Sequence, residues 1–253
     1  MSEILKDEVA IITGAGRGIG RAYALRFAEE GAKLLLPDIS LERSEAVAKE
    51  IRDNGGKAVA IETDISDESA TKIMAEKVMQ LYGRVDILLN NAAMFSGLER
   101  KPWDTRTVEE WDQMFAVNVR GTWLCCKAIA SLMVKQSKGK IINISSDIIK
   151  QPNAHFLMHY SCSKVAVHAI TQCLARALGP SNISVNSIAP GLTMTEATAH
   201  TPDKVFEDIS ATQCIPQREQ PADLVGTAVF LASKDSDFVT GQILIVDGGF
   251  WLP

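Results

Sequence analysis

The sequence predicts an α/β protein built on a doubly wound, seven-stranded parallel sheet with helices on both faces. Seven short runs of apolar and β-branched residues alternate with segments of helical spacing. These runs are too continuously apolar for half-exposed strands and fit strands that are covered on both faces. Strict alternation of strand and helix implies right-handed crossovers. A closed barrel is the competing arrangement, but a glycine-rich loop directly after the first strand favours the open sheet.

The individual elements follow from this alternation. Strands are predicted at Val9–Thr13, Lys33–Leu36, Ala58–Glu62, Asp86–Asn90, Lys140–Ile144, Ser184–Ala189 and Ile243–Val246. Helices are predicted at about Gly18–Glu30, Leu41–Asn54, Glu68–Tyr82, Val108–Lys135, Tyr160–Leu178 and Ala222–Ala232. Ser40 and Asp67 are typical helix-start residues, and several of the helices end at a glycine, as at Gly31 and Gly83.

Composition limits the kind of protein and its partners. The 253 residues contain no linker, charge block or repeat, so one domain covering residues 1–253 is expected. A net charge of −5 disfavours a nucleic-acid or anionic-membrane surface and favours a small-molecule ligand.

No apolar run reaches the ~18 residues of a membrane span, and the N-terminus lacks a signal-peptide core, so a cytoplasmic location is expected. The five cysteines include no CxxC pair, so neither disulfides nor a metal site is expected. The cysteines are instead expected to be buried free thiols.

A glycine-rich loop connects the first predicted strand to the first helix. It reads Thr13-Gly14-Ala15-Gly16-Arg17-Gly18-Ile19-Gly20. Glycines let the backbone approach a pyrophosphate without a Cβ clash, and the free N–H groups and dipole of the helix N-terminus attract its charge. In this strand–turn–helix context the loop predicts a dinucleotide-binding site.

Asp38 ends the second strand, where a carboxylate can accept hydrogen bonds from the adenosine ribose hydroxyls. The same carboxylate repels a 2′-phosphate, and the neighbouring Ile39 offers no cation to offset that repulsion. NAD is therefore favoured over NADP. Arg17 favours NADP, since a guanidinium in the loop can reach a phosphate, and a simple turn role for Asp38 is the structural alternative.

Tyr160 and Lys164 stand four residues apart in a helical segment, so their side chains emerge on one face. An unaided phenol titrates near ~10 and is a poor base at neutral pH. A nearby lysine cation and an oxidised nicotinamide ring favour the phenolate. Upstream, the strand ending at Ile144 is followed by Ser145 and Ser146, which places a hydroxyl at the carboxyl edge of the sheet, where ligands of open α/β folds bind.

Together these stretches resemble the classical short-chain dehydrogenase/reductase family. The residues that carry the resemblance are the glycine loop, Asp64, Asn90-Asn91-Ala92, Asn118, Ser146, Tyr160 with Lys164, and Pro190-Gly191. They occur in the family's order over nearly the whole chain. The resemblance implies a single-domain Rossmann fold.

The resemblance also implies catalytic roles. Tyr160 would exchange the proton with the substrate oxygen, and Ser146 would orient that oxygen. Lys164 would bind the nicotinamide ribose and lower the pKa of Tyr160. Asn118 would hold a water that links Lys164 to solvent.

Cofactor contacts are implied along the whole chain. Asp64 and the Ile65 backbone would contact the adenine, Asn91 and Ala92 the adenosine ribose, and Thr193 and Thr195 the carboxamide. The full predicted set is Gly14, Arg17, Gly18, Ile19, Gly20, Asp38, Asp64, Ile65, Asn91, Ala92, Tyr160, Lys164, Pro190, Gly191, Thr193 and Thr195.

Two positions depart from the family's pattern. Ala93 replaces the usual glycine after Asn-Asn-Ala and adds a methyl near the cofactor. Ser146 and Tyr160 are separated by one position more than usual, which implies one extra residue in Asp147–His159. Ser146 is preferred as the catalytic hydroxyl because the loop beyond it most easily absorbs the insertion; in the other register it would be Ser145.

Substrate choice is left to loops at the same edge of the sheet, including a predicted substrate loop at about 192–217. Because most candidate lining residues are apolar, a hydrophobic secondary alcohol or ketone is expected. The predicted substrate-binding residues are Ser146, Tyr160, Phe95, Ile148, His155 and Leu192. His155 is also typical of an ordinary loop histidine.

These observations predict an NAD-dependent oxidoreductase that interconverts a secondary alcohol and its ketone. The alternative within the same class is a 3-oxoacyl thioester reductase of the acyl-carrier-protein type. A remote alternative is a non-catalytic dinucleotide-sensing protein, which the complete Ser146, Tyr160 and Lys164 set disfavours. The resemblance further implies a homotetramer.

Overall fold

One sheet of seven parallel strands forms the centre of the molecule, in the order β3-β2-β1-β4-β5-β6-β7. The structure, a computed structural model, describes residues 3–151 and 154–252. The strands are β1 (Val9–Ile12), β2 (Lys33–Asp38), β3 (Lys57–Glu62), β4 (Ile87–Asn90), β5 (Gly139–Ile144), β6 (Ile183–Pro190) and β7 (Ile243–Val246). The predicted α/β class and doubly wound sheet are confirmed.

The described ranges contain eight α-helices. They are α1 (Gly18–Glu29), α2 (Leu41–Asp53), α3 (Glu68–Tyr82), α4 (Val108–Phe115), α5 (Thr122–Gln136), α6 (Met158–Leu178), α7 (Asp203–Thr212) and α8 (Pro221–Ala232). Within residues 3–151 and 154–252, no helix has the length and apolar character that crossing a membrane requires.

Two apolar layers hold the helices to the sheet. On one face, Ala10 and Ile12 of β1 pack with α1, α2 and α8. On the other face, Val9 and Ile11 of the same strand pack with α3, α5 and α6. Because neighbouring strand residues point to opposite faces, a strand covered on both sides must be apolar throughout. This explains the continuous apolar runs in the sequence.

Strand β2 extends beyond its predicted end at Leu36. Proline lacks a backbone donor and normally ends a strand, but Pro37 pairs in register with Ile61 of β3. The carbonyl of Pro37 accepts a hydrogen bond from Gly14 N at 2.8 Å. The extension brings Asp38 to the level of the glycine loop.

The single helix predicted at Val108–Lys135 is divided in the structure. A π-helical segment, Ala116–Gly121, lies between α4 and α5 and contains Asn118. Wider turns of this kind are frequent at functional sites. The apolar spacing of the sequence does not reveal the change from α to π hydrogen bonding, because the chain stays helical throughout.

Helix α7 lies within the predicted substrate loop at about 192–217. Its apolar side is short, and Phe206 is the buried residue on it. A ten-residue helix with so little apolar repetition gives a weak periodic signal. The predicted substrate loop therefore contains a helix.

The strand order places a crevice at the carboxyl ends of β1 and β4. From β1 the chain builds outward through β2 and β3, then returns to place β4 on the other side of β1. Loops leaving neighbouring strands in opposite directions open a crevice at this point, where ligands of such folds bind.

Candidate active site

A single cavity of about 550 Å³ at this crevice brings together most of the predicted site residues. It receives the glycine loop after β1, the ends of β2 and β3, and the loops after β4, β5 and β6. All the predicted cofactor residues line it, together with Ser146, Phe95, Ile148 and Leu192. Asn118 and His155 lie outside its lining. His155 is exposed, with its ring 4.1 Å from that of Phe156.

The glycine loop packs too closely to accept side chains at two positions. Gly14 adopts a φ of +66°, and a Cβ there would lie 2.8 Å from the Cα of Ala92. A Cβ on Gly20 would collide with the carbonyl oxygen of Gly14 and lie 2.5 Å from Asn91 Nδ2. The start of α1 therefore rests directly on the loop, and only glycine permits this approach.

The first turn of α1 is suited to an anion. Among the described residues no side chain caps this end of the helix, and its first turn contains no acidic residue. The first N–H groups of a helix have no partner within the helix. With the helix dipole, they fit a dinucleotide pyrophosphate.

Asp38 is buried and holds three neighbouring groups. Its carboxylate accepts hydrogen bonds from Gly16 N and Ser40 N, both at 2.9 Å, and from Arg43 Nη2 at 3.3 Å. Sequence reasoning considered Ile39 and Arg17 for a cation near Asp38 and missed Arg43. Arg43 lies in the first turn of α2, which points back toward the end of β2, and it lines the cavity.

Just after β3, Asp64 is exposed and its Oδ1 accepts hydrogen bonds from Ser66 N and Oγ at 2.8 and 2.7 Å. Ile65 beside it is buried. On the opposite wall, Asn91 Nδ2 donates to the carbonyls of Thr13 and Gly14, each at 3.1 Å. These amide contacts fix the glycine loop to the end of β4.

Tyr160 and Lys164 are both buried on α6 and face the cavity. Lys164 Nζ donates to the Ile144 carbonyl at 2.8 Å and lies 5.6 Å from the Tyr160 ring centroid. Burial lowers the pKa of Lys164 to about 8. Burial raises the pKa of Tyr160, the hydrogen bond with Ser146 acts to lower it, and the Asp147 carboxylate raises it further.

The two serines after β5 have different surroundings. Ser145 Oγ donates to the Lys164 carbonyl at 3.1 Å, which ties the end of β5 to α6. Ser146 Oγ accepts a hydrogen bond from Ile148 N at 3.2 Å and contacts the Tyr160 phenol. This geometry favours Ser146 as the hydroxyl that meets a substrate.

Asn118 is buried beside α6, outside the lining of the cavity. Its Oδ1 accepts from Met94 N at 2.7 Å, and its Nδ2 contacts Ser163 Oγ at 3.1 Å. The amide therefore joins the π-helical segment to the loop after β4 and to α6. Its predicted role in a water relay stays a prediction.

The loop after β6 depends on a residue that sequence reasoning missed. Glu219 is buried and accepts hydrogen bonds from Thr193 Oγ1 at 2.6 Å and Gly191 N at 3.1 Å. Its own carbonyl accepts from Met194 N at 2.8 Å. Burial raises the pKa of Glu219 to about 7. No local motif announces it, because its partners lie more than 20 residues upstream.

The substrate side of the cavity is apolar around Tyr160. The Phe95 ring centroid lies 5.1 Å from that of Tyr160, and Met94, Phe95 and Ile148 pack with it. Polar groups also reach this side, notably Asp147 and Gln151.

Residues 3–151 and 154–252 contain no group of three His, Cys, Asp or Glu side chains that could hold a metal ion. Cys125 and Cys126 are buried as predicted, whereas Cys162, Cys173 and Cys214 are exposed free thiols. The expectation of buried thiols was therefore wrong for these three.

Comparisons with known proteins agree with this geometry. A family model described as enoyl-(acyl carrier protein) reductase matches residues 14–251. A 3-oxoacyl-(acyl-carrier-protein) reductase of Thermotoga maritima is 36% identical over 248 residues, covering 97% of this chain and 98% of the relative. A galactitol 2-dehydrogenase of Agrobacterium fabrum is 36% identical over 260 residues, covering 98% and 99%. The crystal structure of a 3-oxoacyl-(acyl-carrier protein) reductase from Brucella melitensis with bound NAD has a TM-score of 0.90 at 32% identity and covers 100% of this chain and 94% of that one.

The fold and its cavity define a dinucleotide-binding oxidoreductase of the α/β class. The relatives carry the names of dehydrogenases and reductases and match this chain over nearly its whole length. The chain belongs to the short-chain dehydrogenase/reductase family, whose Rossmann fold binds a nicotinamide dinucleotide.

Proposed function

We propose that this protein is an NAD-dependent oxidoreductase that interconverts a secondary alcohol and its ketone. The observation that carries the proposal is that Ser146, Tyr160 and Lys164 line the same cavity as the glycine loop. When bound, the nicotinamide supplies the hydride chemistry, and the protein supplies orientation and proton transfer.

In this proposal Tyr160 exchanges a proton with the substrate oxygen. Ser146, in contact with the phenol, donates a hydrogen bond to that oxygen and orients it. Lys164 is charged below its pKa of about 8, and its cation near the ring favours the phenolate. The apolar walls at Phe95, Ile148 and Leu192 support a substrate with a hydrophobic part.

The choice of NAD rests on Asp38. Its buried carboxylate is positioned to accept hydrogen bonds from ribose hydroxyls and disfavours a 2′-phosphate. The Brucella melitensis relative holds NAD. Arg17 and Arg43, which also line the cavity, favour NADP. Thr193 and Thr195 are proposed to hold the carboxamide, and the loop at about 192–217 is proposed to cover the substrate.

The test is a pair of measurements on Tyr160→Phe. Wild-type protein is expected to oxidise at least some secondary alcohols with NAD, followed by NADH absorbance. The variant is expected to lose turnover while its NADH affinity, measured by fluorescence, stays within about twofold, because only the phenol oxygen is removed. Unchanged turnover would overturn the mechanism. NADH binding without turnover of any alcohol or ketone by the wild type would favour a dinucleotide sensor.

A 3-oxoacyl thioester reductase is the second candidate. It is favoured by the names of the Thermotoga maritima and Brucella melitensis relatives. The exposed Arg100 at the cavity lining offers a cation to the phosphate of a thioester carrier. Acetoacetyl-CoA should then be reduced with a kcat/KM at least tenfold above that of simple ketones, and Arg100→Ala should remove this advantage.

We also propose a homotetramer in the cytoplasm. Trp123 of α5 and Val165 of α6 are nearly half exposed, which supports helix faces that pack against other copies. Light scattering on the purified protein should give a mass near four chains of 27.5 kDa. A monomer would contradict the assembly.

A further inference from the structure

Asp147 is a buried carboxylate in the substrate half of the cavity that the proposed reaction does not use. It directly follows Ser146 and begins a short 3-10 turn, Asp147–Lys150. It is only 2% exposed, yet it lines the cavity. Its charge raises the pKa of Tyr160, so the carboxylate lies close to the reacting centre.

The donors around the Asp147 carboxylate are all uncharged. Gln151 Nε2 donates to both carboxylate oxygens, at 2.9 and 3.0 Å, and the Ser146 hydroxyl and the backbone N–H of Asp147 itself are also in hydrogen-bonding contact with the carboxylate. In the described part of the chain no lysine, arginine or histidine forms an ion pair with it. The charged neighbours Asp247 and Glu219 are both acidic.

Such an environment is costly for a carboxylate. A buried charge needs partners, and without a cation it tends toward its neutral form. Burial accordingly raises the pKa of Asp147 to about 7. In the proposed reaction Ser146 donates its single hydroxyl proton in a hydrogen bond to the substrate oxygen, which opens one acceptor position on Asp147. A hydrogen-bond donor arriving from the cavity would fill that position.

We propose that Asp147 and Gln151 form a polar subsite that accepts a hydrogen bond from a hydroxyl on the carbon next to the reacting carbon. The substrate class is then a vicinal diol and the corresponding α-hydroxy ketone, carried on an otherwise apolar skeleton. This inference rests on the proposed alcohol oxidation. It adds a specificity-determining contact. Ser146 and Tyr160 hold the reacting oxygen, and Asp147 directly follows Ser146 in the sequence.

A hydroxyl is a better donor here than an ammonium group. The walls around Tyr160 are apolar, with Phe95 and Ile148 packed there. Stripping water from an ammonium group among such walls costs far more than stripping it from a hydroxyl. Gln151 also lines the cavity, and its amide oxygen is an acceptor suited to a neutral donor. An amino alcohol serves as the test of this choice.

The experiment compares kcat/KM with NAD for 2,3-butanediol, 2-butanol and 3-amino-2-butanol. The wild type is expected to prefer the diol over 2-butanol by about tenfold or more, the effect of a hydrogen bond to a charged group. Asp147→Leu should reduce this ratio to near one, and Gln151→Leu should reduce it in part. The ratio cancels any effect of the variant on Tyr160 that both substrates share.

Controls separate this subsite from a general role in catalysis. Gln113→Leu removes another polar residue of the lining and should keep the diol preference. Asp147→Asn keeps the shape and one acceptor oxygen, so it should retain part of the ratio even if Asp147→Leu does not fold.

Equal loss for diol and mono-alcohol in both Asp147 variants would overturn the subsite. A preference for the amino alcohol would overturn the hydroxyl assignment. Turnover of mono-alcohols without a diol preference would overturn only this inference, whereas no turnover of any alcohol or ketone would overturn the proposed function with it.

Discussion

The Arg43 guanidinium lies 3.3 Å from the Asp38 carboxylate at the wall of the cavity. This ion pair joins the first turn of α2 to the end of β2. Arg43 Nε is buried and has no protein partner among the described residues. In the proposed cofactor site, Asp38 would accept from ribose hydroxyls and Arg43 would offer a cation to a 2′-phosphate.

The ion pair predicts a measurable effect on cofactor discrimination. Arg43→Gln removes the cation that partly balances Asp38, so NADPH binding should weaken by about tenfold while NADH binding changes little. Asp38→Ser should shift the preference in the opposite direction. Dissociation constants from nicotinamide fluorescence check both variants. An unchanged ratio of the two constants in Arg43→Gln would show that Arg43 does not read the phosphate.

The two adjacent serines should respond differently to alanine. Ser146→Ala removes the donor proposed to orient the substrate oxygen and should lower kcat about 100-fold or more. Ser145→Ala removes the bond to the Lys164 carbonyl and should instead cost about 1 kcal/mol of stability. Steady-state kinetics and denaturant unfolding of both variants separate the roles. A larger kcat loss in Ser145→Ala would place the catalytic hydroxyl one residue earlier.

Alcohol oxidation should rise with pH because it needs the Tyr160 phenolate. Burial raises the pKa of Tyr160, and the Asp147 charge raises it further, so the neutral phenol dominates at pH 7. Asp147→Asn removes the charge and should shift the rising limb to lower pH by about one unit. Above about pH 8 Lys164 loses its own proton and with it the support for the phenolate. The profile is measured as kcat/KM with 2-butanol; a shift to higher pH would contradict the argument.

Glu219 predicts a pH dependence of stability. Its pKa of about 7 in the folded protein lies above the ordinary 4.5 of an unfolded chain. Between these values the folded state binds more protons, so stability should fall as pH rises from about 4.5 to 7. Glu219→Gln should flatten this part of the curve in thermal unfolding. Because the amide cannot accept from Gly191 N and Thr193 Oγ1 equally well, NADH binding should also weaken.

The sequence predicted those parts of the site that depend on local pattern. The glycine loop works through backbone geometry, and the Tyr160–Lys164 spacing follows from one helical turn, so both are visible in the residue order. The structure places them in one cavity with Asp38. The seven strands were also visible, because a sheet covered on both faces requires continuous apolar runs.

Contacts between distant segments escaped sequence reasoning. Glu219 meets Gly191 and Thr193 through chain folding, and Arg43 reaches Asp38 through the direction of the first turn of α2. His155 was predicted to contact substrate but lies outside the lining of the cavity. Its position depends on how the loop before α6 turns, and no periodic pattern specifies that turn.

Gly20 and Gly226 form a matched pair for testing the close packing of α1. A Cβ at Gly20 would collide with the Gly14 carbonyl oxygen, whereas one at Gly226 in α8 would meet no atom within 4 Å. Gly20→Ala should therefore cost about 1–3 kcal/mol and weaken NADH binding at least tenfold, because the loop must move away from the helix. Gly226→Ala should instead stabilise the protein by about 0.5–1 kcal/mol, since alanine favours a helix interior over glycine. Urea unfolding and NADH titration of the two variants measure both effects, and equal behaviour of the pair would show that the loop tolerates a side chain at position 20.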